Sequence, residues 1–330
     1  MTPADSPAQH VEPTEPNPAL ARYQKAIPPA RDRLQSRLLV WTVMPLLCAL
    51  GVTRTIGLLL YAPRLHALVI QSVAISVCFA LLAWRLKAAT PAAAASGGLI
   101  CLCLIYGTHV YGASALHSAL APLIALFVMT FVATRTGRKR KSASGLAESR
   151  SGRTTSQVVA NLGFAALLAC ALGYVVVLVI WPMPEYQDPS WVIAVLVLAA
   201  LAETTADTVS SEIGQALGGS PTLLTTIRRV EPGTDGAISL RGTLAGIAGA
   251  AIVAAAGARY LHLSPLQSSL ALTAGICGLF FDSLLGATLE RRGWIGNDLV
   301  NFCSTVFSPT LCLIVLWLIP SLGPHRFVRY

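Results

Sequence analysis

Long apolar runs separated by short polar breaks dominate the chain. Runs rich in Leu, Ala, Val and Ile lie at 38–60, 66–84, 92–112, 113–133, 157–181, 191–218, 239–260, 265–289 and 299–322. Many approach the ~20 residues a helix needs to cross ~30 Å of hydrocarbon. The runs are continuous and do not alternate over segments of about ten residues, so they predict helices and exclude a transmembrane β-barrel. The expected fold is all-α, a polytopic transmembrane bundle of about nine helices. Residues 1–36 have no apolar core and carry seven prolines, from Pro3 to Pro29. They predict a disordered, Pro-rich cytoplasmic tail ahead of a transmembrane domain at 37–330. With no short apolar stretch and small-residue cleavage site, the tail is expected to stay on the mature protein.

Composition agrees with that pattern and narrows the class. Of 330 residues, 54% are hydrophobic and only 12% charged, and mean hydropathy is +0.64. A soluble enzyme is excluded, since ordinary soluble domains carry about a quarter charged residues. Charge also sets an orientation, because Lys and Arg concentrate in cytoplasmic loops. With nine crossings and the N-terminus inside, all but five of the 24 Lys and Arg residues fall on the cytoplasmic side, the exceptions being Arg54, Arg64, Arg259, Arg326 and Arg329. The net charge of +9 is thereby explained by topology, and no nucleic-acid partner is needed. The expected location is a bacterial inner membrane. All eight cysteines lie in apolar runs without a CxxC spacing, and the six histidines are scattered. The cysteines are expected to be small buried hydrophobes, and no histidine spacing predicts a metal site.

Ionisable residues within apolar spans are costly and mark candidate chemistry. The sixth run ends Ala202-Glu203-Thr204-Thr205-Ala206-Asp207-Thr208-Val209-Ser210-Ser211-Glu212-Ile213-Gly214. At about 100° per residue, Glu203, Asp207, Ser210 and Gly214 share one face, and Thr205, Thr208 and Glu212 the opposite one. Such a helix end is polar all round and must lie inside the bundle. The eighth run places Gly275, Gly278, Asp282 and Gly286 on one face, with Ser283 adjacent; glycines at this spacing let a neighbouring helix press close. Both helix ends carry the pattern Asp-[Ser/Thr]-x-x-[Ser/Gly], at Asp207 and at Asp282. Carboxylates beside hydroxyls suit Mg²⁺, a hard cation that takes oxygen ligands and shares them with phosphates. The competing reading is that both acids pair with buried arginines or hold a hydrogen-bond network.

Between the sixth and seventh runs, Gly233 and Gly236 permit positive φ and close backbone approach, as a nest of N–H groups around an anion requires. Ser239, Gly242 and Thr243 open the seventh helix, whose N-terminus adds its dipole. Arg228 and Arg229 add full charge, so this loop is a candidate phosphate site. The basic loop 134–156 contains Lys139, Lys141 and Arg153, which either anchor the chain at anionic headgroups or bind a phosphate. Gln157 and Asn161 follow it, and Asn297 and Asn301 open the ninth run; these amides are helix caps, interhelical hydrogen-bond partners or site residues.

In order along the chain, Thr134-Arg135-x-Gly137, Gly152-Arg153, Gln157-Val158-x-x-Asn161, Ala206-Asp207-Thr208-x-x-Ser211-Glu212-x-Gly214, Gly233-Thr234-Asp235-Gly236, Gly242-Thr243, Asp282-Ser283-x-x-Gly286-Ala287 and Asn297 through Asn301 resemble the phytyl-phosphate kinase family. That is a broad integral membrane group, largely of unknown function, with plant plastid members. The resemblance covers about 92–320. It looks distantly like the CTP-using dolichol and phytol kinases as well, which makes CTP the implied nucleotide.

The resulting expectation is a membrane kinase that moves a phosphoryl group from a nucleoside triphosphate, CTP by the resemblance, to an isoprenoid monophosphate such as phytyl, geranylgeranyl or farnesyl phosphate. Asp207, Asp282 and Glu212 are the catalytic candidates, and Asp207, Asp282 and Glu203 the Mg²⁺ ligands. Arg228, Arg229, Gly233, Thr234, Gly236, Ser239 and Thr243 would hold the donor. Lys139, Lys141, Arg153, Gln157 and Asn161 would hold the acceptor phosphate. Thr208, Ser211, Ser283, Asn297 and Asn301 complete the site, which faces the cytoplasm. Two alternatives stand beside it: a transporter or channel for an ion or anionic substrate, since buried acids and Gly-rich helices also mark ion pathways, and a kinase acting on a lipid alcohol.

Overall fold

A computed structural model describes residues 27–110, 114–147, 149, 151–170, 173, 175, 179 and 190–319. The tail through residue 26, the turn at Tyr111 and Gly112, Arg150, most of the end of the fifth run and the last residues of the ninth lie outside them. The described chain is a helical bundle: α1 (Pro29–Tyr61), α2 (His66–Arg85), α3 (Pro91–Thr108), α4 (Leu120–Arg135), α5 (Arg138–Ala143), α6 (Thr155–Ala169), α7 (Ser190–Leu217), α8 (Leu240–Tyr260), α9 (Pro265–Leu285) and α10 (Asn297–Leu318). Between α7 and α8 a two-residue antiparallel hairpin forms from β1 (Thr222–Leu223) and β2 (Ala237–Ile238).

Each predicted run corresponds to a helix. Seven described helices are long and apolar enough to cross a membrane. The other two, α4 and α6, have 16 and 15 residues, about 22–24 Å at 1.5 Å per residue. Several boundaries move. The first helix starts at Pro29, eight residues inside the expected tail, because Pro29 sits at the N-terminal turn where its missing N–H costs nothing and the helix start is bonded to the turn before α10. There Arg31 Nη1 donates to the Gly293 carbonyl at 3.0 Å, Gln35 Nε2 to that of Trp294 at 2.8 Å, and Ser36 Oγ to Asp298 Oδ2 at 2.7 Å. The fourth run starts its helix at Leu120 instead of 113, since Val110 N–H bonds the His117 carbonyl and Thr108 Oγ1 accepts from Ala119 N–H at 2.7 Å. Thr154 caps α6 with a reciprocal Gln157 bond, and Ser264 caps α9 with Gln267 in the same way.

The central element is α7. Nearly all of its residues from Val192 to Glu212 are buried, and α4, α6, α8, α9 and α10 pack around it. Glycines make that enclosure possible. A Cβ at Gly242 or Gly246 of α8 would overlap the Ser210 or Ala206 carbonyl, and one at Gly275 or Gly278 of α9 would overlap the backbone or side chain of Glu203. By contrast α1 and α2 present Trp41, Leu60 and Ile70 outward, as lipid-facing helices do. Of the cysteines, Cys101, Cys103 and Cys312 are buried, whereas Cys48 and Cys78 are exposed; the expectation of uniform burial fails for these two because they sit on the outward faces of α1 and α2.

Segments assigned from charge to one side of the membrane meet on one face. Arg135 Nη2 donates to the Leu86 carbonyl at 2.6 Å, Thr90 N–H to that of Arg153 at 3.0 Å, and Arg140 Nη1 to that of Ala216 at 3.1 Å. Gly233 packs on Leu146, and Gly236 on the Ser283–Ala287 turn. At the other end, His117 stacks on His262 at 5.3 Å. The Lys141 ammonium, fully buried, donates to the Ala133 and Thr134 carbonyls and pairs with Glu212 Oε2, while Thr134 Oγ1 donates to Oε1 at 3.1 Å. This cluster ties the basic loop to α4 and α7.

In a cysteine-free background, Ser142→Cys and Thr226→Cys should label from the same side of sealed vesicles and Arg64→Cys from the other; labelling of Ser142→Cys and Arg64→Cys from one side would refute the alternation. Lys141→Met, which strands the Glu212 carboxylate, should lower stability by about 3–5 kcal/mol. Adding Glu212→Gln should recover most of that loss in detergent unfolding assays.

Candidate functional site

A polar cavity of about 440 Å³ opens on the basic face. Its floor is formed by α7 and α9, whose Asp207 and Asp282 side chains both line it. Two acids seventy-five positions apart in sequence thus share one site. Thr208, Ser210 and Ser211 on α7 and Ser283 on α9 stand around them. Ser304 Oγ of α10 donates to Asp282 Oδ2 at 3.2 Å. The side wall is amide-rich: Asn161 Nδ2 donates to the Gln157 carbonyl at 2.8 Å, Asn301 Nδ2 reaches Asn161 Oδ1 at 3.5 Å, and Asn297 lines the rim. Thr204 Oγ1 fixes α6 against α7 by donating to the Asn161 carbonyl at 2.6 Å.

The opposite wall is the Gly233–Ser239 segment. Gly233 has φ of 89° and Gly236 of 71°, a region that side chains disfavour, and Gly236 has no room for a methyl group against the backbone of Ser283 and Ala287. Thr234 and Ser239 line the same wall, and Ser239 Oγ caps α8 by accepting from Gly242 N–H at 3.2 Å. Asp235 also faces the cavity. Burial pushes its carboxyl up to about 6, with the Arg291 guanidinium acting against the shift. Arg153, at the start of α6, lines the cavity and is close enough to act on Asp207 electrostatically.

Not every sequence candidate enters this cavity. Glu203, one turn below Asp207, is enclosed: Thr305 Oγ1 donates to its Oε2 at 2.9 Å, and Gly278 packs against its side chain. Arg228 and Arg229 are exposed at the far end of the hairpin, because the turn that bonds Leu223 to Arg228 and Ile227 carries them outward. Lys139 is exposed on α5, and Lys141 is committed to Glu212, which reaches the cavity edge with its charge already paired. Thr243 lies beyond the Ser239 cap on α8 and does not line the cavity. In the other direction, the cavity gathers Asp235, Ser210 and Glu290, which the sequence reading left out of the site. Asp235 was legible as part of the Gly233-Thr234-Asp235-Gly236 segment and Ser210 as a residue on the Asp207 face; Glu290 is carried in by the π-helical turn Gly286–Glu290 that follows α9.

The donor set fits a hard divalent cation bound together with a phosphate. Asp207 and Asp282 face open, polar space with hydroxyl and amide oxygens around them, the Asp235 and Glu290 carboxylates line the same cavity, and Mg²⁺ characteristically takes one or two protein carboxylates and fills the rest with water and phosphate oxygens. Among the described residues no three His, Cys, Asp or Glu side chains converge tightly enough to enclose a metal by themselves. The arrangement therefore suits a metal delivered with its substrate, and a closed structural site is not formed.

Two uncharacterised membrane proteins are similar to the chain: MJ0933 of Methanocaldococcus jannaschii, 33% identical over 58% of this chain and 74% of its own, and sll0875 of Synechocystis, 32% identical over 63% and 78%. The chloroplastic protein VTE6 of Arabidopsis thaliana is 32% identical over 54% of this chain and 52% of its own length. No solved structure matches the chain. The profile described as "Integral membrane protein DUF92" matches residues 74–308, which include both aspartates, the Gly233–Gly236 wall and Arg153, and the chain therefore belongs to that integral membrane family.

Proposed function

We propose that the protein is a phosphotransferase that moves the γ-phosphoryl group of a nucleoside triphosphate, CTP by the family resemblance, onto an isoprenoid monophosphate. The observation that carries the reading is the meeting of Asp207 and Asp282 on the floor of a polar cavity whose wall is the glycine turn at Gly233–Gly236. Sequence motifs like those of phytyl-phosphate kinases, and the alignment with VTE6, support the same class. A transporter would place its acids near the bilayer midplane. Here Asp282 lies in the last turn of α9, beside the loop face.

Phosphoryl transfer asks a protein mainly for positioning and charge neutralisation. Asp207 and Asp282 would hold Mg²⁺, which when bound offsets the negative charge of the donor phosphates. The positive-φ backbone at Gly233 and Gly236, with Thr234 and Ser239, would seat those phosphates, and Arg153 would offer its guanidinium to the acceptor phosphate. A non-bridging oxygen of the acceptor then attacks the γ-phosphorus as the bond from that phosphorus to the β,γ-bridging oxygen breaks. Nucleoside diphosphate leaves and the isoprenoid diphosphate is formed. A doubly charged acceptor needs no proton removed, so the step runs without a general base, and the prior pairing of Glu212 with Lys141 is no obstacle.

Asp207→Asn and Asp282→Asn should each lower transfer of radiolabel from γ-labelled triphosphate to geranylgeranyl monophosphate by at least about 100-fold, or about 2.7 kcal/mol, with unchanged elution in detergent. Near-wild-type turnover of either variant at saturating Mg²⁺ would assign that acid a structural role. Gly236→Val should raise the KM for the triphosphate, because it forces the wall off α9; an effect confined to the lipid KM would reassign the wall to the acceptor.

A further inference from the structure

A second hollow adjoins the polar cavity and has a different character. It is a narrow groove, of about 100 Å³, among α2, α3, α4 and α6, floored by Ala93, Ala94 and Gly97 and flanked by Phe79, Phe127 and Phe131. Its position follows from loose packing: α3 and α4 touch each other little although they are consecutive, because each packs chiefly on other helices. The Phe79 and Phe127 rings meet edge to face at 5.3 Å across the gap. At the end on the basic face stand Lys87, Arg135, Arg138 and Arg153. The Arg135 guanidinium lies over the Phe131 ring at 4.2 Å and donates to the Leu86 carbonyl, so one cation is fixed at the junction of apolar wall and charged mouth. Ser149, Arg153 and Asn161 line both hollows. The groove thus ends where the aspartate cavity begins.

We propose that this groove is the acceptor site, holding one single-chain lipid monophosphate with its phosphate among Lys87, Arg138 and Arg153, the head-proximal part of its hydrocarbon chain along the Ala/Gly floor and the rest of the chain in the surrounding bilayer. The identity of the lipid as an isoprenoid rests on the function proposed above; the site itself does not. Charge complementarity selects the occupant. An apolar slot closed at one end by four cations fits a molecule with an apolar tail and a dianionic head. Residence in the bilayer also explains the route, since α2 and α4, which border the groove, carry outward apolar faces and the chain would enter sideways between them, past Phe79 and Phe127, without leaving hydrocarbon. Arg153 then sits between the bound phosphate and Asp207. This places the acceptor oxygen at the border of the donor cavity, where transfer requires it.

The test is equilibrium binding of radiolabelled geranylgeranyl monophosphate to the full chain in nanodiscs, with EDTA and without nucleotide, so that no turnover contributes. Gly97→Leu fills the groove: a Cβ there meets Phe79 at 3.9 Å, an ordinary contact, and the longer side chain occupies the floor. It should weaken binding at least 10-fold while inhibition by inorganic phosphate in the transfer assay is unchanged. Arg138→Gln, at an exposed residue, should weaken binding of the lipid phosphate at least 5-fold and geranylgeraniol binding hardly at all, with unchanged elution in detergent. Wild-type affinity in both variants would overturn the proposal, and so would equal competition by phosphatidic acid, which would make the mouth a general headgroup site. If lipid phosphate binds as expected but no triphosphate donates to it, the kinase reading fails and the groove stands. If transfer proceeds and the groove variants keep wild-type KM for the lipid, the groove fails and the kinase reading stands.

Discussion

Everything in this structure is arranged around the burial of a polar helix end in a membrane. Hydrocarbon offers no partner for the Glu203, Thr204, Thr205 and Asp207 side chains, so each must find one within the protein or face water inside it. Both solutions are used. Deep in the bundle, Glu203 is enclosed by Thr305 and Thr204, and Thr205 bonds back to the Leu201 carbonyl. Toward the basic face the same helix opens on the polar cavity, where Asp207 meets Asp282. The glycines of α8 and α9 are the counterpart of this arrangement, because only without side chains can two neighbouring helices come close enough to cover a polar helix.

In the proposed reaction the two hollows would divide the chemistry by solubility. A nucleotide cannot enter hydrocarbon, and a long isoprenoid chain does not leave it, so a reaction between them has to occur at an interface. The polar cavity lies among loops and helix ends; the groove lies among apolar helices and closes at a basic rim. Arg153 belongs to both. Its position is set by pairing on either side of it, since the Arg153 backbone bonds to Ala88 and Thr90, and Thr154 caps α6 immediately afterwards. A charged side chain at the junction is thus carried by some of the most firmly tied backbone on that face.

The Lys141–Glu212 pair shows how a basic loop takes on two roles. Of its many cations, Lys141 is withdrawn from solvent to anchor the loop to α4 and α7, and Arg140 ties it to the end of α7 through the Ala216 carbonyl. Such buried pairs add little net stability but penalise any arrangement that separates them. The loop is held in one register, with Arg138 turned to the groove and Lys139 to solvent.

Sequence alone determined the helical membrane class and singled out Asp207, Asp282, Gly233 and Gly236 as candidates, because hydrocarbon imposes length, charge placement and backbone rules that act locally along the chain. Pro29 misled the tail boundary only because the bonds that hold the helix start come from residues near 293–298, far away in sequence. The tertiary structure alone decided which polar residues share a space. Glu203 and Asp207 lie on one helical face, yet packing by Gly278 and Thr305 encloses the first and leaves the second open. Lys141 and Lys139 are two positions apart in one basic run, yet an ion pair to a helix 71 residues on buries one of them. Periodicity reports which way a side chain points on its own helix; what stands opposite it depends on contacts that no local pattern encodes.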